Sequence, residues 1–186
     1  MSEWFETQAG MLDEVWRQLT RGVADAKAPA RHPVLATVSS DGLPEARTVV
    51  LRAAERSAAR IEIHTDLNSA KIGALRHQPM AALHVWAPRA RLQIRAGVSV
   101  TIRSGDAVAD MWARLPDGAR GNYGVTPAPG TPIADETGFS READPAAFAV
   151  LDGALQWIEA LHLGRTLHRR VLFQAEAGWT GQWLAP

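Results

Sequence analysis

The sequence contains no cysteine, and this absence removes several kinds of chemistry at once. Disulfides, thiolate metal ligands and a cysteine nucleophile are all excluded. No apolar run approaches the roughly 18 residues that a membrane-spanning helix needs. The 20 basic and 20 acidic side chains cancel, so the chain has no general field that would attract nucleic acid or an anionic membrane. Basic residues must therefore act locally.

The composition is that of an ordinary globular protein, with 46% hydrophobic and 22% charged residues among 186. A chain of this length can bury roughly 70% of its unfolded surface, so we expect a single domain spanning residues 1–186. The N-terminus, MSEWFETQAGMLDEVWRQL, is acidic and amphipathic. Because a signal peptide starts with basic residues followed by an apolar run, we expect no such peptide and predict a cytoplasmic location.

Hydrophobic periodicity predicts mostly strands. One amphipathic helix is predicted from about Ser2 to Gly22. A hairpin follows around Asp41–Gly42, since Asp-Gly tolerates positive φ angles, and its second strand is EARTVVLRA. The further predicted strands are ARIEIHT, MAALHVWA, RLQIRAGVSVTIR and a closing run after Pro145. The predicted class is mainly β with flanking helices (α+β), as an antiparallel barrel with helices packed outside.

Two connecting segments carry further expectations. Asn68 or Ser69 can cap a helix that runs to about His77. The segment 116–145 is rich in glycine and proline, and a loop of that length inside a compact domain is usually functional or disordered.

A set of phosphate-binding groups lies within one predicted strand–strand–helix unit. Its members are Arg47, Arg52, Thr65, Ser69 and Lys71. Arginine binds phosphate with a two-pronged fork and lysine as a point charge, and each charge-assisted hydrogen bond contributes about 1.5–3 kcal/mol. The alternative is that the two arginines are solubilising strand ends and that Ser69 only caps a helix.

Five segments occur in an order that resembles the pyridoxamine 5'-phosphate oxidase family. They are RTVVLR, IEIHTDLNSAKIGAL, LQIRAGVSV, TLHRRVLF and GWTGQWLAP. The resemblance runs from about Pro33 to the C-terminus. It implies an FMN-binding split β-barrel, and a homodimer with FMN at the subunit interface.

The resemblance also implies a set of cofactor-binding residues. These are Arg47, Thr48, Val49, Val50, Leu51, Arg52, His64, Thr65, Ser69, Ala70, Lys71, Gln93 and Arg170. Arg47 corresponds to a phosphate ligand, and Arg52 to a lysine near flavin and substrate. The family commonly has Arg-Lys where this chain has Ala70-Lys71.

Gln93 corresponds to a glutamine that the second subunit offers, and Arg170 to an arginine that contacts the flavin. The alternation of the strand places Gln93 on its polar side with Arg91 and Arg95, where it could face a ligand. The alternative for Gln93 is a solvated strand residue.

The chain departs from the family where the substrate binds. The pyridoxal phosphate-forming enzymes have RLH where this chain has Thr166 to His168, and an Arg-Pro pair where it has Leu115-Pro116. Arg52 and His168 remain as candidate substrate-binding residues, although His168 is equally well explained as an ordinary strand residue. The flavin site is therefore expected to be kept, and the original substrate site to be lost.

No catalytic or metal-binding motif is present. The six histidines lie at irregular spacing, so we assign no metal ligand, and no side chain is assigned a catalytic role. The leading hypothesis is an FMN-dependent oxidoreductase acting on a small molecule, with a nicotinamide as one candidate partner. The alternatives are a non-catalytic flavin-binding or sensing protein, and a split barrel that binds heme or a deazaflavin.

Overall fold

The computed structural model describes residues 3–186, and strands dominate it, at 40% strand against 27% helix. The strands are β1 (Val34–Val38), β2 (Pro44–Thr48), β3 (Leu51–Glu55), β4 (Arg60–Asp66), β5 (Met80–Ala87), β6 (Leu92–Ser104), β7 (Val125–Thr126), β8 (Ser140–Arg141), β9 (Phe148–Leu163), β10 (His168–Gln174) and β11 (Gly181–Leu184). The helices are α1 (Gln8–Ala24), α2 (Ala70–His77), α3 (Ala109–Ala113) and α4 (Asp117–Arg120). The predicted class is confirmed. Within residues 3–186 no helix is both long and apolar enough to cross a membrane.

The main sheet is antiparallel and is organised around β9. Its strand order is β11-β10-β9-β6-β5-β1-β2, while β4 pairs with β3 and with the first half of β9. The second half of β9 pairs with β10. Thus β9 carries β6 along one edge and β4 followed by β10 along the other, and it links all parts of the sheet.

The N-terminal helix begins later than predicted. Residues Trp4–Glu6 form a 3-10 turn, and α1 starts at Gln8 with the hydroxyl of Thr7 accepting a hydrogen bond from the N–H of Gly10. A threonine in this position satisfies one of the free N–H groups of the first turn. Ser2, where the prediction began, lies outside the described residues.

The predicted strand EARTVVLRA is two strands. β2 ends at Thr48, the N–H of Val49 bonds to the carbonyl of Pro33, and β3 begins at Leu51. The chain leaves the edge of β1 here and joins β4 instead. A β-bulge follows at once, because the pairing shifts between Leu51 and Ala53 and leaves Arg52 without a cross-strand partner.

β6 and β9 form the longest ladder, and Gly97 is required within it. Gly97 lies opposite Trp157 in the register, and a Cβ at this position would overlap the indole ring of Trp157. The register shifts between Gly97 and Val98. The alternation predicted for β6 persists through the shift, because Leu92, Ile94, Ala96 and Val98 are all buried.

The long segment between α3 and β9 is attached to the sheet around Tyr123 and Gly124. Tyr123 is buried with Phe148 and Val150 of β9. One carboxylate oxygen of Asp66 accepts a hydrogen bond from the N–H of Gly124 at 2.8 Å, and the other accepts one from the N–H of Asn68 at 2.7 Å. Asp66 therefore holds both this segment and the approach to α2.

Candidate functional site

A lysine and two hydroxyl groups meet where β4 ends and α2 begins. The ammonium group of Lys71 donates to the hydroxyl oxygens of Thr65 and Ser69, at 3.0 Å each. The two hydroxyl oxygens lie 3.2 Å apart. Thr65 and Ser69 are buried, so the three polar groups form a small, mostly desolvated cluster, which we call the lysine cluster.

Ser69 occupies the N-cap position of α2, but its side chain does not cap the helix. Its hydroxyl donates to the carbonyl of Asp66 at 2.7 Å, so the predicted capping role is wrong for the hydroxyl. The N–H groups at the start of α2 therefore receive no side-chain acceptor from Ser69. Free N–H groups at the start of a helix favour a bound anion.

Arg47 lies beside the lysine cluster and is already well held. Its guanidinium donates to the hydroxyl of Thr37 at 2.7 Å and to the carbonyl of Leu35 at 3.2 Å. It also forms an ion pair with Glu45 at 2.8 Å. These bonds fix the orientation of the guanidinium group. Its positive charge is close enough to lower the pKa of Lys71.

The charge on Lys71 is destabilised in this setting. Burial lowers the pKa of Lys71, the nearby Arg47 lowers it further, and only Asp66 raises it. Lys71 has no ion-pair partner in the part of the chain that the structure describes. A partly buried cation beside a second cation is a local environment that an anion would stabilise.

A second group of polar side chains surrounds the bulge in β3. His64 packs edge-on against Phe148 at 5.1 Å, and neither of its ring nitrogens has a hydrogen-bond partner among residues 3–186. Burial lowers the pKa of His64 to about 4, with Arg52 and Arg103 contributing. The imidazole is therefore neutral near pH 7.

Tyr123 brings the long segment to this second group. Burial raises the pKa of Tyr123, while the positive charge of the nearby Arg52 opposes the rise. The Nε of Arg52 has no hydrogen-bond partner among the described residues. Arg52 thus lies between His64 and Tyr123 with one buried donor unused.

Gln93 and Arg170 lie in a different region of the subunit. They flank Leu161 of β9 in the register, whereas His64 lies opposite Val150 of the same strand. The eleven steps from Val150 to Leu161 correspond to roughly 35 Å of extended strand. One subunit therefore does not bring Gln93 and Arg170 to the lysine cluster.

Arg170 is paired within its own region. It bonds to Glu159 at 2.8 Å, and Glu159 also bonds to Arg95 at 3.2 Å. His168 is exposed at the start of the same strand. Of the other predicted cofactor residues, Val49 and Leu51 are buried, Val50 is half-buried, and Thr48 and Ala70 are exposed.

Sequence reasoning missed the residues that support these side chains. Glu45 and Thr37 hold Arg47, and Asp66 holds Ser69 and Gly124. Asp66 directly follows the His64–Thr65 pair, which is the one local signal available. No local sequence signal pointed to Tyr123, apart from its being the only tyrosine in the sequence. No group of three or more histidine, aspartate or glutamate side chains within residues 3–186 could hold a metal ion.

Comparison with known proteins finds a family model that matches much of the N-terminal half of the chain. The model of the family "Pyridoxamine 5'-phosphate oxidase, FMN-binding domain" matches residues 13–103. The matched residues make up just under half of the chain and are similar to this FMN-binding domain. The resemblance inferred from the sequence is thereby confirmed, and so is FMN as the cofactor that the family domain binds.

Relatives of the pyridoxamine 5'-phosphate oxidase family match most of the chain. The Arabidopsis thaliana protein "Pyridoxine/pyridoxamine 5'-phosphate oxidase 2" is 28% identical over 183 residues, covering 90% of this chain and 91% of the relative. A Nostoc punctiforme FMN-binding protein related to the oxidase is 28% identical, covers 94% of this chain and 96% of its own, and superposes with a TM-score of 0.75.

More distant structures share the fold alone. PhzG from Burkholderia lata, in complex with tetrahydrophenazine-1-carboxylic acid, is 17% identical with a TM-score of 0.72, and the match covers 94% of this chain and 91% of PhzG. The predicted split barrel is thus confirmed as the architecture.

The residues that differ from the oxidase motif lie away from the lysine cluster in the sequence. Thr166 is exposed in the turn between β9 and β10. Leu115 is partly buried against the group that contains Tyr123 and Phe148. Neither residue can donate the charged hydrogen bonds that arginine gives to a phosphate.

Proposed function

We propose that this protein is a cytoplasmic FMN-dependent oxidoreductase that acts on a small molecule, with the FMN phosphate held by Arg47, Thr65, Ser69 and Lys71. The observation that carries the proposal is the lysine cluster at the start of α2. There the ammonium group of the partly buried Lys71 donates to two hydroxyl oxygens, each at 3.0 Å. The match of residues 13–103 to the model of an FMN-binding domain supports the choice of anion.

The electrostatics of the lysine cluster favour a doubly charged anion. A phosphate monoester carries about −1.5 to −2 charges and three acceptor oxygens. Binding it would neutralise the repulsion between Arg47 and Lys71 that contributes to the lowered pKa of Lys71. The free N–H groups at the start of α2 and the two hydroxyls supply further donors, and each charge-assisted bond contributes about 1.5–3 kcal/mol.

The protein would supply position and environment, and the flavin would supply the redox chemistry. FMN, when bound, would supply hydride-transfer and electron-transfer chemistry. Arg52, which has a buried unused N–H donor, would orient substrate or flavin beside the strand break at Val49 and Val50. His64 would stay neutral near pH 7 because its pKa is about 4. We assign no residue of this protein as a general base.

We propose a homodimer in which Gln93 and Arg170 reach the flavin bound by the partner subunit. The roughly 35 Å of strand between their part of β9 and the part beside His64 prevents them from acting within one subunit. Trp86 lies directly opposite Gln93 in the sheet and is 42% exposed, which provides an apolar contact on the same face. A two-fold dimer would create two equivalent sites.

The substrate is proposed to lack the phosphate group of pyridoxamine 5'-phosphate. The arginines expected from the family motif are replaced by Thr166 and Leu115, so that a phosphate would lose its ligands and keep its desolvation cost. Arg52 and His168 remain as candidate substrate contacts. A nicotinamide cofactor is one candidate electron donor.

The absorption spectrum of the purified protein tests the cofactor. A flavin spectrum, and a melting temperature that rises with added FMN by mass action, are the expected results. A heme spectrum, or an unchanged melting curve and unchanged flavin fluorescence at saturating FMN, would contradict the proposal. Reduction of the bound flavin by a nicotinamide, followed by absorbance, would separate an oxidoreductase from a non-catalytic flavin-binding protein.

A further inference from the structure

A second cluster of positive charge lies on the other side of the sheet. A cavity of about 410 Å³ opens between the N-terminal segment and the turn that joins β9 to β10. Arg91, Arg165 and Arg169 line it, together with Phe5, His162 and Thr166, the last being the position where the related oxidases have an arginine. We call this cavity the arginine pocket.

The three arginines are not neutralised by acidic neighbours. None of them forms an ion pair within residues 3–186, whereas Arg95, Arg103 and Arg170 elsewhere in the sheet all do. Glu6 is the one acidic residue among the described residues that line the cavity. Three guanidinium groups facing one carboxylate leave a surplus of positive charge, and such a surplus attracts anions.

The surroundings hold the side chain of Arg169 and the backbone of Arg91 in place. Arg169 lies over the ring of Phe5, with its guanidinium carbon 5.0 Å from the ring centroid. Arg91 lies in a turn with φ of 49°. The backbone of Arg91 donates to Pro88 at 3.1 Å and accepts from Leu163 at 2.8 Å. Positions that are fixed before binding lower the entropy cost of ordering a ligand's contacts.

His162 adds a buried polar atom that has no partner. The residue is 6% exposed, and its Nδ1 is buried without a hydrogen-bond partner in the described part of the chain. Its ring stacks on Phe5 at 4.3 Å. Burial lowers the pKa of His162, and Arg169 and Arg91 lower it further. The three guanidinium groups are therefore the positive charges that line the cavity.

The arginine pocket is distinct from the proposed flavin site. His162 and Arg169 are cross-strand partners, and His162 also lies opposite the fully buried Leu92. Side chains alternate between the two faces of a strand. His162 and Arg169 therefore face the N-terminal segment. Gln93 follows Leu92 and Arg170 follows Arg169, so these two side chains face the opposite side of the sheet.

We propose that the arginine pocket is a binding site for a small phosphate-bearing anion. Arginine is suited to phosphate because its planar fork can make two parallel hydrogen bonds. A cavity of about 410 Å³ is large enough for a phosphorylated metabolite as well as for free phosphate. The site does not depend on FMN, since none of its residues belongs to the proposed flavin site.

Titration of the FMN-loaded protein with inorganic phosphate and with pyrophosphate tests the site. The titration is done by calorimetry in low-salt buffer after free FMN has been removed. Saturable binding of one anion per subunit is expected, and Arg165→Gln and Arg91→Gln should each weaken it about tenfold, which corresponds to about 1.4 kcal/mol. Arg165 is exposed in a turn, so its variant should fold normally.

A matched variant and a second anion complete the test. Arg76→Gln removes an exposed arginine from the last turn of α2, outside the pocket, and should leave the affinity unchanged. Acetate should not compete at the same concentration. The proposal fails if no saturable binding occurs, if the pocket variants bind as the original protein does, if Arg76→Gln weakens binding equally, or if acetate competes as well as phosphate. A protein that proved unable to bind FMN would still report on the pocket in the same titration.

Discussion

The ammonium nitrogen of Lys71 lies 3.0 Å from the hydroxyl oxygen of Thr65, and this contact joins the end of β4 to the first turn of α2. Lys71 is one of only two lysines in the chain, the other being the exposed Lys27. The pKa of Lys71 is lowered by burial. The two hydroxyl groups thus position the positive charge of Lys71. This charged state is destabilised when no anion is bound.

Replacing Lys71 should weaken FMN binding. Lys71→Ala removes a charge-assisted bond of about 1.5–3 kcal/mol, which corresponds to roughly a 10- to 150-fold rise in Kd. Quenching of flavin fluorescence on titration measures the change. Lys27→Ala is the matched control and should bind FMN as the original protein does. Equal affinity for FMN in the Lys71 variant would rule out the proposed phosphate ligand.

Pyridoxamine 5'-phosphate should be a poor substrate. The two missing arginine contacts would together contribute about 3–6 kcal/mol, so kcat/KM should be low, and hydrogen peroxide detection in steady-state assays measures it. Thr166→Arg should raise kcat/KM for this substrate and leave FMN affinity nearly unchanged. Efficient turnover by the original protein would show that other residues hold the substrate phosphate.

Disrupting the face that carries Gln93 should separate the proposed dimer. Trp86→Asp places a charge opposite Gln93 and should give a monomer with weaker FMN binding, as measured by sedimentation velocity and flavin fluorescence. Trp183→Asp is the matched control. Trp183 is similarly exposed, at 44%, but it pairs with the buried Val171 and so lies on the other face. A monomeric original protein that binds FMN tightly would contradict the shared site.

Stability should fall with acidification through the range in which His64 takes up a proton. Its pKa is about 4 in the folded state against an ordinary 6.5, so the unfolded state binds the proton first as pH falls. The stabilisation is complete above about pH 6.5 and is lost progressively towards about pH 4, with a slope of at most about 1.4 kcal/mol per pH unit.

Urea unfolding at several pH values, compared between the original protein and His64→Gln, measures this contribution. The difference between the two free energies of unfolding should change between pH 6.5 and 4 and be constant above that range. The pKa of His162 is also lowered by burial, but His162 is present in both proteins and cancels from the difference. A constant difference across the whole range would mean that His64 titrates normally.

Much of the fold could be predicted because its strands alternate regularly. The buried residues of β6, from Leu92 to Val98, lie where the period of two predicts them. The break between β2 and β3 could not be predicted, because Val49 and Val50 are good strand residues and nothing local interrupts them. The chain changes partner there to pair with β4, which is a tertiary effect.

The candidate site could be predicted only in part, for a similar reason. Residues that are close in sequence, such as Thr65, Ser69 and Lys71, were found together as the spacing implies. The ion pair of Arg47 with Glu45, and the contacts of Tyr123 with β9, depend on how the sheet folds back on itself. Alternation placed Gln93 on a polar face, but it could not give the distance along β9 that separates Gln93 from the lysine cluster.

The carboxylate of Asp66 affects the rate at which a ligand can bind to the candidate site. Because its two oxygens hold Asn68 and Gly124, the approach to α2 and the anchor point of the long segment are ordered when the chain folds. This part of the site is therefore formed before a ligand binds. The association rate constant should be limited by diffusion and by local charge rather than by closure of the segment. In Asp66→Asn the segment at Gly124 would be held less firmly. The association rate would then depend on the fraction of time for which this segment is ordered.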